Sequence, residues 1–198
     1  MRKQPSQARS RATVDAIIQA GARILADRGW AGFTTNGVAD VAGVSIGSLY
    51  QYFPDKLSLV EAIRRHHFDE VLAVMRGTRK GERSLSQQVE ALVQGMIEAH
   101  SVNADLHRVL LDEVPGHDGS SRRAHDAFLA EYQDHYKAFV ASYGNSDGSS
   151  NAEIVAQLLS GAVEGVIHSA ARKGILSSPE LKQELILMIC AYLRRPDF

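Results

Sequence analysis

Between Thr34 and Lys56 the chain reads TTNGVADVAGVSIGSLYQYFPDK, a run in which hydroxyls, an amide and an ammonium are spaced among small apolar residues. Side chains of those types, carried on a short helix beside a tight turn, suit contact with a nucleic acid. Thr34 or Thr35 offers a hydroxyl to cap a short helix running through Val41. Val38, Ala39 and Ala42 give that helix a small apolar face, so another helix can approach closely. Gly43 permits the turn, Val44 points inward to fix its angle, and Ser45 caps a second helix ending near Phe53. Leu49 and Phe53, four apart, anchor that helix from beneath. Ser45, Ile46, Gly47, Ser48, Tyr50, Gln51 and Tyr52 are then left for the exposed side. Gln51 can make paired hydrogen bonds to adenine, and Ile46 can touch a thymine methyl. Tyr50 and Tyr52 have hydroxyls with the reach for phosphates. Lys56 follows the Asp55 cap in the first turn of the next helix, where an ammonium and helix-end N–H groups can grip one phosphate. The competing reading is that the segment is only core.

Other chemistries find less support. Eight histidines are present, but His66 and His67 are adjacent and point to different sides of a helix. His100 and His107 are two turns apart, across a helix break expected near Asn103. No phosphate-cradling glycine loop, nucleophile elbow or His-Glu-x-x-His pattern occurs. The expectation is a chain that is not an enzyme, with no catalytic residue, no metal and no cofactor. Cys190 is the only cysteine and falls in an apolar helix, as a buried small hydrophobe would.

The formal net charge of −1 hides an asymmetry: residues 1–80 hold 12 basic and 7 acidic side chains, residues 81–198 hold 10 and 16. A basic first segment on an acidic body points to a polyanionic partner. Arg2, Lys3, Arg9 and Arg11 are scattered rather than clustered, which favours phosphate contact or solvation over a membrane surface. No continuous apolar run has membrane-spanning length and no signal peptide opens the chain, so a cytoplasmic location and no membrane partner are expected.

The elements that must position these residues are all helical by the three- and four-residue recurrence of apolar side chains. The first helix spans about 11–28, with Val14, Ile17, Ile18, Ile24 and Leu25 on one face and Gly29 as its cap. After the two short helices comes a longer one over about 55–75, then a charged, glycine-containing boundary at 77–83. Further helices fall at about 84–101, 104–113, 121–143, 152–173 and 178–194, broken by loops at 115–120 and 144–150. The organisation is a DNA-binding region over 1–54, a connecting helix over 55–80 and a second region over 81–198.

The stretch 11–75 resembles the TetR/AcrR repressors. The resemblance lies in Phe33-Thr34-Thr35, Ala39, Ala42-Gly43-Val44-Ser45, Gly47, Leu49-Tyr50, Tyr52-Phe53 and Lys56. Two residues depart from the pattern: Gly37 inside the second helix, costing ~1 kcal/mol against alanine, and Ile46 at a position often polar. The resemblance implies an all-α fold with an N-terminal three-helix helix-turn-helix domain and a C-terminal helical domain for ligand binding and dimerisation. It implies a homodimer on double-stranded, near-palindromic operator DNA, released by a small-molecule effector. The apolar breadth of helices 152–173 and 178–194 suits pairing with their copies. Met96, His100, Phe128, Tyr132, Glu164 and His168 are the candidates to line the effector pocket, polar or aromatic groups interrupting apolar faces. The alternative is a helical small-molecule-binding or enzymatic protein with vestigial DNA binding.

Overall fold

The computed structural model describes residues 8–78, 83–101, 105–115, 119–143 and 151–194, and no strand occurs among them. Arg2, Lys3, residues 79–82 of the boundary, the break near Asn103, residues 116–118 of the first loop and all of the second loop at 144–150 lie outside the described residues. Contacts divide the chain into two units, one of residues 1–68 with 103–121 and the other of residues 69–102 with 122–198.

In the first unit, α1 (Ala8–Gly32) buries Val14, Ile17, Ile18, Ile24 and Leu25. Its helical path breaks at Gly29, whose φ of 64° with ψ of −175° is a backbone conformation essentially confined to glycine, and helix resumes to Gly32, so Gly29 marks a kink and not the end cap the sequence suggested. α2 (Thr35–Ala42) is capped by Thr34, whose hydroxyl oxygen accepts from the Gly37 N–H at 3.1 Å. It ends at Gly43, with φ 67° and its N–H turned back to the carbonyls of Ala39 and Asp40. α3 (Ile46–Tyr52) starts from Ser45, which accepts from the Ser48 N–H at 3.1 Å. α4 (Lys56–Thr78) opens with a reciprocal cap: Asp55 Oδ1 accepts from the Ser58 N–H at 2.7 Å, and Ser58 Oγ accepts from the Asp55 N–H at 3.3 Å.

Phe33, Val38, Leu49, Phe53, Leu59, Val60 and Ile63 close this core around α1. Four residues from the middle of the chain complete it: Leu106, Val109, Leu110 and Val114. They lie on α6 (Leu106–Arg108), on the single π-helical turn Val109–Glu113 that continues it, and, for Val114, at the residue that closes that turn. Sequence pattern gives this stretch an apolar face but not the body it packs against, and it reads there as part of the second region. Buried Arg64 ties it down, donating to the Leu110 carbonyl at 3.2 Å while pairing with Glu61 at 2.9 Å.

The second unit contains α5 (Leu85–Ser101), most of α7 (Gly119–Ala141), α8 (Asn151–Arg172) and α9 (Pro179–Leu193). α5 packs on both α8 and α9. Lys182 meets Glu90 at 3.3 Å and Arg194 donates to Ser86 at 3.0 Å, joining α9 to α5. Gln133 donates to buried Ser160 at 2.8 Å between α7 and α8. Cys190 is buried among apolar neighbours, as its setting suggested. α8 qualifies one sequence expectation, since within residues 152–172 an 18-residue stretch has a mean hydropathy of 1.3 and the helix has the length and composition of a membrane span. Glu153, Gln157, Ser160, Glu164 and His168 interrupt any continuous run, and core helices of soluble proteins have the same character. Large apolar side chains on the last two helices remain exposed: Ile154, Leu158, Leu187 and Met188, each over 40%.

Replacing fully buried Leu49 by alanine should lower stability by roughly 2–5 kcal/mol, and Thr34→Ala should lower it by about 1 kcal/mol through the lost cap. Urea unfolding followed by circular dichroism gives both values; equal losses would mean the cap and the core contribute alike, against this packing.

Candidate nucleic-acid interface

α3 presents the low, polar face that its sequence promised. Ser45, Ile46, Gly47, Tyr50 and Gln51 are exposed and Ser48 is half-buried, while Leu49 and Phe53 are fully enclosed beneath. The Ser45 and Ser48 hydroxyls lie 2.8 Å apart, so each is oriented by the other. Tyr50 reaches back across the turn, its hydroxyl 3.1 Å from that of half-buried Thr35 at the start of α2. The two short helices therefore share a polar tie on the exposed side and an apolar one below. Tyr52 requires a correction. Its residue is only 9% exposed and joins the core with Leu49 and Phe53. Three residues beyond Leu49 on the helix, it shares the inward face, so it is an anchor and not an open phosphate contact. Thr34 is exposed but its hydroxyl is engaged as the α2 cap.

Lys56, at the head of α4, is held by Trp30. Its ammonium donates to the Trp30 carbonyl at 2.9 Å and stands 3.5 Å from the centre of the indole ring, which stacks on buried Phe33 at 6.3 Å. A cation over an indole face gains about 0.5–2 kcal/mol. Partial burial lowers the Lys56 pKa from its ordinary value. An ammonium has three donors; one is given to Trp30 and the ring takes up one side of the charge. What remains faces outward from a fixed position, so much of the ~2 kcal/mol of lysine rotamer entropy is already spent before a phosphate arrives.

Sequence reasoning missed Trp30 because it singled out groups that could touch a ligand and not the surface that holds one of them. A cation beside an aromatic in the folded chain, 26 residues away, has no periodic signature. It also missed the buried pair His67 and His107, whose Nε2 and Nδ1 lie 3.0 Å apart within the first unit.

In the second unit the candidate effector residues fall into two sets, His100 with Met96 and His168, and Phe128 with Tyr132 and Glu164. His100, buried on α5, has its Nδ1 2.8 Å from the Met96 carbonyl, and its ring lies 5.1 Å from that of His168. Phe128 stacks on Tyr132 at 5.7 Å, Tyr132 meets Tyr136 edge-on at 5.1 Å, and both tyrosines feel the charge of Glu164. The hydroxyls of Tyr132 and Tyr136 are buried and have no hydrogen-bond partner among the described residues. Burial raises the pKa of both tyrosines, Tyr132 well above its ordinary value. It also raises that of Glu164 and lowers that of His100. His168 falls to about 4, through burial first and then the neighbouring His100 and Arg172. Polar atoms in an apolar setting, with the imidazoles kept neutral at pH 7, are the usual lining of a ligand site. A separate open groove of about 500 Å³, lined by Arg83, Gln87, Glu90, Ala91, Gln94 and Lys182, uses none of these residues.

Residues 17–63 match the family described as bacterial regulatory proteins, tetR family, and residues 84–193 match the tetracyclin repressor-like C-terminal domain. The HTH-type transcriptional repressor KstR2 of Rhodococcus jostii is 28% identical over 145 residues, which span 72% of this chain and 70% of that protein. Two solved structures share the fold. A transcriptional regulator from Rhodococcus sp. is 24% identical with a TM-score of 0.73, over 91% of this chain and 96% of that one. The fatty acid degradation regulator FadR from Bacillus halodurans is 16% identical with a TM-score of 0.72, over 96% of each chain.

The lowered histidine pKa values fix the sign of an acid effect. The folded chain binds fewer protons than the unfolded chain between about pH 6.5 and pH 4, so stability present above 6.5 is lost as pH falls through that window. His168→Gln removes part of that loss, on the order of 2 kcal/mol after allowing for the solvent that still reaches the ring. Urea midpoints at the two ends of the window measure it; parallel losses in both proteins would contradict the assignment.

Proposed function

Because the chain belongs to the TetR family and is a DNA-binding transcriptional regulator, we propose that it is a cytoplasmic repressor that grips a near-palindromic operator as a homodimer and lets go when a small molecule binds its second unit. The observation that carries the reading is the exposed polar face of α3 set beside a lysine already held in place at the head of α4. Ile46, Gly47, Ser48 and Gln51 face base edges, Ser45, Tyr50 and Thr35 the sugar-phosphate backbone, and Lys56 a phosphate next to them. Thr34 acts at the same surface through the backbone it caps. No catalytic step is assigned to the chain, and the family's repressors, including KstR2 by its name, support the regulatory sense.

A single reading head covers only a short half-site, so the reading needs two. Exposed Ile154 and Leu158 lie one turn apart on α8, with exposed Gly161 and Gly165 continuing the same stripe, and Leu187 and Met188 are exposed on α9. Such a surface, apolar with bare backbone in line, suits close pairing with the α8 and α9 of a second copy.

The effector is held among Met96, His100, Phe128, Tyr132, Glu164 and His168. It releases DNA only if it binds the DNA-free state more tightly than the DNA-bound one. α4 carries Lys56 at its head and contributes residues to both units, which makes it the element through which such a preference acts.

Selection of duplexes from a random pool by the purified protein, followed by the stoichiometry of the complex, tests the reading. An inverted repeat holding two or four chains is expected; no enrichment at low salt would end it. On the recovered duplex, Tyr50→Ala and Lys56→Ala should each weaken binding roughly tenfold, the loss expected for about 1.4 kcal/mol of contact, with circular dichroism unchanged. Leu158→Asp should give a monomer in sedimentation; a dimer that persists with full stability would move the interface elsewhere.

A further inference from the structure

We propose that Glu113 is a positioning residue for DNA binding, acting on Lys56 through Trp30; this rests on the reading of Lys56 as a phosphate contact. The chain of contacts lies wholly within the first unit. Gly29 leaves α1 at a φ of 64°, and the N–H of the next residue, Trp30, donates to Glu113 Oε2 at 3.0 Å. The carbonyl of the same Trp30 accepts from Lys56 Nζ at 2.9 Å, and its indole lies under the ammonium. Trp30 is thus gripped on its amide side by one side chain and grips the lysine on its carbonyl side. Fixing the first contact fixes the platform of the second.

Two further features show that Glu113 is aimed and not merely near. A Cβ built on Gly29 would lie 2.5 Å from Glu113 Oε2, so the carboxylate rests directly against this glycine and any side chain there would push it aside. The other carboxylate oxygen, Oε1, accepts from Arg108 at 2.8 Å, and Arg108 reaches Asp105 at 3.5 Å. Arg108 and Glu113 are five residues apart, a separation that an α-helix of 3.6 residues per turn would send to different sides. The π turn, closed by the Val114 N–H donating to the Val109 carbonyl at 3.1 Å, brings them to one side. The Trp30 N–H and Arg108 together hold the Glu113 carboxyl below its ordinary pKa, so it stays an anion at neutral pH. The segment 106–114, anchored in the core by Leu106, Val109, Leu110 and Val114, therefore sets where the cation at the head of α4 stands.

The test is a double-mutant cycle on the full chain with a random-sequence duplex at low salt, where phosphate contacts dominate and no operator need be known. Glu113→Ala should weaken binding roughly three- to tenfold, in the lower part of the range over which neighbouring groups couple, and shift the emission of Trp30, the one tryptophan in the chain. Glu113→Gln keeps an oxygen for the Trp30 N–H and should bind within about twofold of the parent. Adding E113A to K56A should cause no further loss, because the relay has nothing left to position. A purely structural role for Glu113 predicts the same loss in both backgrounds, and that result, or full binding by E113A, overturns the proposal. If K56A itself binds like the parent, the reading of Lys56 falls and the relay with it; if K56A is weak while E113A is additive, only the relay falls.

Discussion

A helix of seven residues cannot hold its own shape in water, because the first turn fixes several dihedrals for one hydrogen bond. α3 is such a helix, and most of the first unit can be understood as the means of fixing it. Ser45 supplies an acceptor to the free Ser48 amide in its first turn, and Phe53 closes its last turn on the Leu49 carbonyl. Leu49, Tyr52 and Phe53 bury its inward face in the core shared with α1, α2 and α4 residues. Only what remains is available to a partner, and that remainder is narrow, polar and short in reach. A recognition surface of this kind is specific because the frame leaves it few ways to move.

The frame is not assembled from neighbouring sequence alone. α1 and α2 pack closely, as the helix-turn-helix requires. The core is still open until α6 and its π turn fill it from about fifty residues beyond the turn's end. This borrowing joins the region that meets DNA to a segment that sequence order would place elsewhere. It also brings a second charge to the break in α1: Lys56 and Glu113 both terminate on Trp30, one at its carbonyl and one at its amide. The aromatic between them is held by Phe33 below. Packing, charge and backbone geometry meet at one residue, and a residue of that kind can transmit a small displacement because close-packed cores do not deform smoothly.

Much of this was legible in the sequence. Three- and four-residue spacing located every long helix to within a few residues, and Gly29 and Gly43 marked two breaks where the backbone takes a positive φ. The exposed set on α3 followed from the anchors Leu49 and Phe53, with Tyr52 misplaced because an amphipathic tyrosine satisfies either face of a short helix. What stayed hidden was long-range. Nothing in residues 104–113 distinguishes a helix that packs forward from one that packs back, and five residues are too few to tell a π turn from an α turn. Trp30, His67 and His107 acquire their roles only from partners 26, 40 and 83 residues away. In the second unit the candidate residues were chosen for chemistry alone, and the structure pairs His100 with His168 and Phe128 with Tyr132. Groups that interrupt apolar faces tend to converge, since isolated burial of each would leave it unsatisfied.

The central claim is that duplex DNA seats against the α3 face and the Lys56 ammonium. The sole tryptophan lies under that ammonium, so titrating the protein with duplex DNA while following Trp30 emission reads the claim directly. The account predicts a saturable change in emission that tracks binding measured by anisotropy and weakens steeply as salt is raised. Saturated binding with Trp30 emission unmoved would place the DNA on another surface and contradict it.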